Sequence, residues 1–98
     1  KNEAFFEKKV PYLDATPLSS SERDRYFAPP KSKLKESIYQ HCVRALRFGL
    51  KIGDHGLILM GAGDWNDGMN KIKGESVWLG FFGAICLEKC KKYFEKLL

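Results

Sequence analysis

The chain has 98 residues, 44% of them hydrophobic and 30% charged, with a net charge of +5. That hydrophobic content excludes simple disorder, and the length allows one small domain or a piece of a larger one. The longest apolar run, residues 77–87 with their glycines, is too short to cross a bilayer, and no charged-then-apolar leader opens the sequence, so a cytoplasmic protein is expected.

Residues 1–10 alternate charge with the patch Ala4-Phe5-Phe6, a pattern that suits a helical turn or the tail of a strand. Pro11 biases Val10 toward extended backbone, which predicts a short extended piece, Val10-Pro11-Tyr12-Leu13. Residues 14–31, with Pro17, Ser19 to Ser21 and Pro29-Pro30, have the composition of a connection. At that length a connection has to pack on its neighbours, carry function or move.

Residues 32–51 place Leu34, Ile38, Cys42, Ala45, Leu46 and Leu50 at three-and-four spacing, which predicts an amphipathic helix with Ser32 as N-cap and Gly53 as C-cap. On it, His41 reads as a packed or surface histidine, and Arg44 and Arg47 as solvent or ion-pair residues. Gly53-Asp54-His55-Gly56 breaks the helix, and Leu57-Ile58-Leu59-Met60 follows as a buried strand or core wall.

After Gly74, Glu75 and Ser76 read as a helix start, Ser76 capping and Glu75 complementing the N-terminal dipole. The helix is expected over 76–98. Over 77–87 it is apolar on every side, Trp78 included, which calls for burial all round. Over 88–98 it turns amphipathic, with Cys90, Tyr93, Phe94, Leu97 and Leu98 inward. Such a helix, about 35 Å long at 1.5 Å per residue, has more apolar surface than one other helix and a few turns can cover. The chain therefore self-associates or is a piece of a larger fold, and the fold class expected is mainly α, two main helices joined by a loop.

Cys42, Cys86 and Cys90 are odd in number and lack close paired spacing, which favours reduced, buried thiols. Cys86 and Cys90 share a helix face and, with His41 or His55, are a minor metal-site alternative; the main reading has no metal. The lysines gather at Lys31, Lys33 and Lys35 and at Lys89, Lys91, Lys92 and Lys96. The second group suits a helix end, and no aromatic-interleaved basic motif points to nucleic acid.

Between the two helices lies Gly61-Ala62-Gly63-Asp64-Trp65-Asn66-Asp67-Gly68-Met69-Asn70. Two carboxylates and an amide around an indole, flanked by glycines, propagate neither helix nor strand well. Such a loop either meets a ligand or forms a cluster of Asx turns around a half-buried indole.

Together with Tyr39-Gln40-His41-Cys42-Val43-Arg44-Ala45-Leu46, His55-Gly56-Leu57 and Gly74-Glu75-Ser76-Val77-Trp78-Leu79-Gly80, this run resembles glycoside hydrolase family 94. The family holds cellobiose-type and β-1,2-glucan phosphorylases and the phosphorylase-like domain of cyclic β-1,2-glucan synthases. The pattern is nearest to the last group, which shares the Val10-Pro11-Tyr12-Leu13 and Pro17-Leu18 elements. The resemblance runs in order over residues 10–82.

The resemblance implies that the chain is a partial segment of an (α/α)6 barrel catalytic domain acting by inverting phosphorolysis on a β-glucan or β-glucoside, with inorganic phosphate as co-substrate and no other cofactor. On the motif, Asp67 is the general acid, Trp65 lies at the sugar subsite, and Asp64 and Asn66 orient the loop or contact sugar hydroxyls. Phosphate is already an anionic nucleophile, so a single protonated carboxyl suffices where an inverting hydrolase needs two. The phosphate ligands and remaining sugar contacts of the family fall outside the matched segments, so the isolated chain is expected to be inactive. The alternative is a non-enzymatic remnant that binds carbohydrate or self-associates through its apolar helix.

Overall fold

The computed structural model describes residues 3–61 and 72–95. In chain order these form α1 (Glu3–Glu7), β1 (Lys9–Leu13), β2 (Lys31–Ser37), α2 (Ile38–Gly49), β3 (Ile58–Leu59), β4 (Glu75–Ser76) and α3 (Val77–Phe94). Three helices are thus accompanied by two small antiparallel sheets, β1 with β2 and β3 with β4.

The extended piece at Val10 to Leu13 is present as β1. It pairs Lys9 with Ser37, Val10 with Glu36, Pro11 with Lys35 and, past a register shift, Leu13 with Lys31. A proline in a strand donates no ladder hydrogen bond, so irregular pairing next to Pro11 is where it belongs. Residues 14–30 then carry no helix or strand. Their ends are drawn together by Asp14 N–H donating to the Pro30 carbonyl at 2.8 Å, and Arg25 ties them inside by bonding Glu22 and donating to the Thr16 carbonyl at 2.9 Å.

The helix expected over 32–51 begins later. Residues 31–37 pair with β1, and the helix runs only from Ile38 to Gly49. Lys31–Ser37 holds one apolar residue, Leu34, which is 52% exposed, so no buried face rewards a helical turn there while β1 offers backbone partners. The N-cap is Ser37, not Ser32. Its hydroxyl accepts from Gln40 N–H at 3.2 Å and Gln40 Oε1 accepts from Ser37 N–H at 3.0 Å, a reciprocal capping box. The C-cap is Leu50, whose N–H donates to Leu46, rather than Gly53.

One side-chain cluster fastens α2 to the first sheet. The Tyr12 ring stacks on His41 at 3.8 Å between centroids, and His41 Nε2–H donates to the Val10 carbonyl at 3.1 Å. Tyr12 Oη donates to Glu36 at 2.6 Å, and Arg44 forks onto both Glu36 oxygens at 2.6 and 2.8 Å. His41 is therefore packed, and Arg44 is an ion-pair residue, as the spacing suggested. The Arg44 hydrogen bond, then that of Tyr12, holds the Glu36 carboxyl down at about 2, against 4.5 ordinarily. Glu36 in turn raises Arg44, and burial followed by the Glu36 bond raises Tyr12.

The second helix starts where expected: Ser76 Oγ accepts from Leu79 N–H at 3.1 Å and α3 follows from Val77. Within this chain it is buried along one face only. Gly83 is buried and Leu79, Cys86 and Cys90 are half-buried on the same face, whereas Val77, Trp78, Phe81, Phe82, Ile85 and Leu87 are exposed. Trp78 stacks on Phe82 at 5.3 Å and is 43% exposed, so it is not a core residue within this chain. Leu97 and Leu98 lie outside the described residues.

The core among the described residues is correspondingly small: Ile58 is the buried hydrophobic side chain, at 8% exposure. It lies against α3 where Gly83 has no side chain; a Cβ there would meet Ile58 Cδ1 at 2.9 Å and Leu50 Cδ2 at 3.1 Å. The accessible surface is 8524 Å², about half again the roughly 5,700 Å² of a folded monomer of this mass. The radius of gyration is 16.0 Å, against about 13 Å for a compact chain of this length.

Two outcomes follow from these contacts. Ser37→Ala is expected to destabilise the chain by about 1 kcal/mol in urea unfolding, while Ser32→Ala changes it by less than about 0.5 kcal/mol; the reverse order would restore the cap to Ser32. For Glu36, folding depresses the carboxyl pKa, so its stabilisation is complete above about 4.5 and is lost as pH falls through about 2. The difference in melting temperature between wild type and Glu36→Gln should therefore be constant from pH 7 to 5 and shrink below that.

Candidate functional site

Asp64, Trp65, Asn66 and Asp67 lie outside the described residues. What is described is the frame on either side of them. Leu57 to Met60 leads in, with Ile58–Leu59 of it as β3, Ile58 opposite Ser76 and Leu59 opposite Glu75. Met60 N–H then donates to the Gly74 carbonyl at 2.8 Å, one step beyond the ladder. Gly61 at φ 58° and Lys73 at φ 54° both take left-handed backbone, one on each side. Gly61 adopts it freely; at Lys73, where a side chain is present, the conformation carries strain.

The incoming side is folded back before it reaches β3. Leu59 N–H donates to the Lys51 carbonyl and Gly53 N–H to the Leu57 carbonyl, both at 2.8 Å, and Ile52 bridges Ile58. The chain reverses through residues 53–57, where Gly56 has φ 82°. Ile52, Ile58 and Ser76 thus lie side by side across three segments, and Ser76 at the far side is 5% exposed.

Glu75 ties that reversal to the outgoing strand. One carboxylate oxygen accepts from His55 N–H and from Leu57 N–H, each at 3.0 Å, and the other accepts from His55 Nδ1–H at 2.5 Å. The Glu75 side chain is 13% exposed although the His55 ring is 82% exposed. Burial pushes the carboxyl pKa up, but the His55 ring bond, the two backbone donors and the charge of His55 together outweigh it, and the net shift is downward. Glu75 therefore does more than complement a helix dipole: it closes a backbone turn 20 residues earlier in the chain.

Gly53 makes room for this arrangement. A Cβ there would fall 2.6 Å from both Cγ and Cδ of Glu75. The contribution of Gly53 is thus close approach to a side chain rather than the helix C-cap that the sequence suggested.

Below the frame, α2 and α3 leave an apolar cleft of about 220 Å³ lined by Leu46, Leu50, Ile58, Leu79, Phe82 and Cys86 among others. Cys42, Cys86 and Cys90 are free thiols, and burial followed by the neighbouring sulfurs raises the Cys90 pKa. Among the described residues no three His, Cys, Asp or Glu side chains are grouped to hold a metal ion. The histidines once eligible are engaged elsewhere, His41 with Tyr12 and Val10, His55 with Glu75. Among the described residues, no helix is long and apolar enough to cross a membrane.

Comparison with known proteins gives this frame a context. Residues 10–96 match the family described as the glycosyl hydrolase 94 superfamily, catalytic domain. The chain is 38% identical over 87 residues to the cyclic beta-(1,2)-glucan synthase NdvB of Rhizobium meliloti (strain 1021), an alignment covering 84% of the chain and 3% of that protein. It is 34% identical over 80 residues to the solabiose phosphorylase of Paenibacillus borealis, covering 76% of the chain and 8% of that protein. The chain thus spans a small fraction of both relatives. By a match that takes in α2, α3, β3, β4 and the segment between those two strands, the chain belongs to the glycosyl hydrolase 94 superfamily, as a segment of its catalytic domain.

Proposed function

We propose that this chain supplies one wall of the active site of an inverting glycoside phosphorylase or cyclic β-1,2-glucan synthase domain, acting on a β-glucan or β-glucoside with inorganic phosphate. The observation that carries the reading is the family match over residues 10–96, which encloses Asp64-Trp65-Asn66-Asp67-Gly68. One relative is named for phosphorolysis of a disaccharide and the other for synthesis of a β-1,2-glucan, which is the range of chemistry such a wall serves.

In this reading Asp67 is the general acid. Its carboxyl gives its proton to the glycosidic oxygen as the bond from that oxygen to the anomeric carbon breaks. A phosphate oxygen forms the new bond from the opposite face, and the products are a sugar 1-phosphate and the shortened acceptor. Asp67 must be protonated when substrate binds, so its pKa has to lie above the ordinary value of about 3.9, through burial or the nearby charge of Asp64 and phosphate. Trp65 offers a flat apolar face to a pyranose ring, and Asp64 and Asn66 offer partners to its hydroxyls.

The exposed face of α3 belongs to the same reading. Val77, Phe81, Phe82 and Ile85 are each more than half exposed, and in an (α/α)6 barrel the face they form would be covered by neighbouring helices of the longer polypeptide. Fully burying such side chains stabilises a fold by about 1.5–3 kcal/mol apiece. The alternative, a non-enzymatic remnant that binds carbohydrate or self-associates, covers this face with a second copy instead.

Two experiments bear on the proposal. In the full-length polypeptide, Asp67→Asn should lower sugar 1-phosphate formation by about 10²–10⁴-fold, and much less for an aryl glucoside whose acidic phenol leaves without a proton. Unchanged turnover would remove Asp67 from the acid role. Phe81→Ser should destabilise the full-length polypeptide by about 3 kcal/mol, and the isolated chain by under about 0.5 kcal/mol. An isolated chain that sediments as a dimer, and becomes a monomer with Phe81→Ser, would favour the self-associating alternative.

A further inference from the structure

The frame around residues 62–71 has a part that neither the family motif nor the candidate acid accounts for. Glu75 makes no contact that a simple helix start would need, since Ser76 already caps α3. Its carboxylate reaches back to His55 and Leu57 with three donors, and Gly53 is bare where any side chain would displace it. Of the segment's two borders, the incoming one is thus held to the outgoing one by a single half-buried side chain as well as by the β3–β4 ladder.

We infer that Glu75 is a positioning residue: by locking the turn at residues 53–57 to β4, it fixes the relative placement of the two strands from which residues 62–71 depart. This rests on the proposed role of that segment in phosphorolysis. The ladder is two residue pairs long, Ile58 with Ser76 and Leu59 with Glu75, and so short a pairing specifies register weakly on its own. The charge-assisted bonds of Glu75 add directional constraints from a segment that is not part of the ladder. A group held this way acts on the reaction only through placement, and a misplacement of about 1 Å can cost about 100-fold in rate.

The account makes Gly53 and Glu75 one unit, which a double-mutant cycle in the full-length enzyme can read. Glu75→Ala should lower kcat about 10–100-fold with KM for phosphate and glucan within about threefold, since no substrate contact is lost. Gly53→Ala should do the same by pushing the carboxylate aside, whereas Gly49→Ala, whose added methyl meets nothing within 4 Å, should not. In the double variant the clash is gone, so Gly53→Ala should cost nothing further once Glu75 is Ala. Glu75→Gln should recover most of kcat, because its amide oxygen still accepts from the two backbone donors.

Additive losses in the cycle, or a Glu75→Ala enzyme with unchanged kcat, would overturn the inference. Should Glu75→Ala not accumulate as folded protein, the contrast between Gly53→Ala and Gly49→Ala decides the same point. Asp67→Asn measured alongside separates the two claims. A dead Asp67→Asn with a silent Glu75 leaves the acid assignment standing and removes this one. An active Asp67→Asn with a slow Glu75→Ala keeps the frame and removes the acid. Amide exchange at Leu57 and Met60 reads the frame without reference to turnover: protection lost in Glu75→Ala supports it, and protection retained contradicts it.

Discussion

Ile58 sits where three segments of the chain meet. It bridges Ile52 on one side, pairs with Ser76 on the other, and lies beneath the bare backbone of Gly83 on α3. The pairing at Ile58 sets the register that lets Met60 N–H reach the Gly74 carbonyl, and it places Glu75 within reach of the turn at residues 53–57. A side chain at position 83 would press on the ends of Ile58 and Leu50, which would have to shift to admit it. One close approach therefore couples the packing of α3 to the frame of the candidate site.

The remainder of the chain supports this point from a distance. The Tyr12–His41 stack, with the Glu36–Arg44 pair, holds α2 to the first sheet, and α2 delivers Leu50 and Ile52 to the Ile58 contact. These are polar, half-exposed fastenings around a small apolar centre. The large apolar residues of α3 contribute little to that centre, because most of them face away from it. The result is a chain whose internal bonds organise one corner well while Val77, Phe81, Phe82 and Ile85 of its longest helix stay more than half exposed. Membership in a catalytic-domain family, together with coverage of 3% and 8% of the two relatives, fits that imbalance.

How much of this was legible in the residues depends on the length of the signal. The apolar periodicity of α2, the extended bias before Pro11 and the Ser76 cap were all readable, and the Asp-Trp-Asn-Asp-Gly run with the motifs on either side of it was enough to name the family. Pro29-Pro30 point to Ser32 as the start of α2, whereas the capping-box pattern Ser37-Ile38-Tyr39-Gln40 that the helix uses lies five residues on. Leu34 matched the helical spacing by chance of number, and only the pairing with β1 shows its segment to be a strand. The β3–β4 pair has two residues on each side, too few for periodicity to register. The bond from Glu75 to His55 spans 20 residues and has no local signature, so Glu75 read as a dipole partner. The exposed side of α3 was half legible: the sequence called for all-round burial, and the structure shows which side this chain leaves uncovered.

The central claim is that this corner of the fold carries the acid wall of an inverting phosphorylase, and the stereochemistry of the product tests it most directly. Phosphorus and proton NMR on the full-length polypeptide, given a β-linked glucan or glucoside and inorganic phosphate, would read the anomeric configuration of the sugar 1-phosphate, which its phosphate ester locks against mutarotation. The account requires the α-anomer of the sugar 1-phosphate, formed only when phosphate is present. A β-anomer, or free sugar released at the same rate without phosphate, would contradict it.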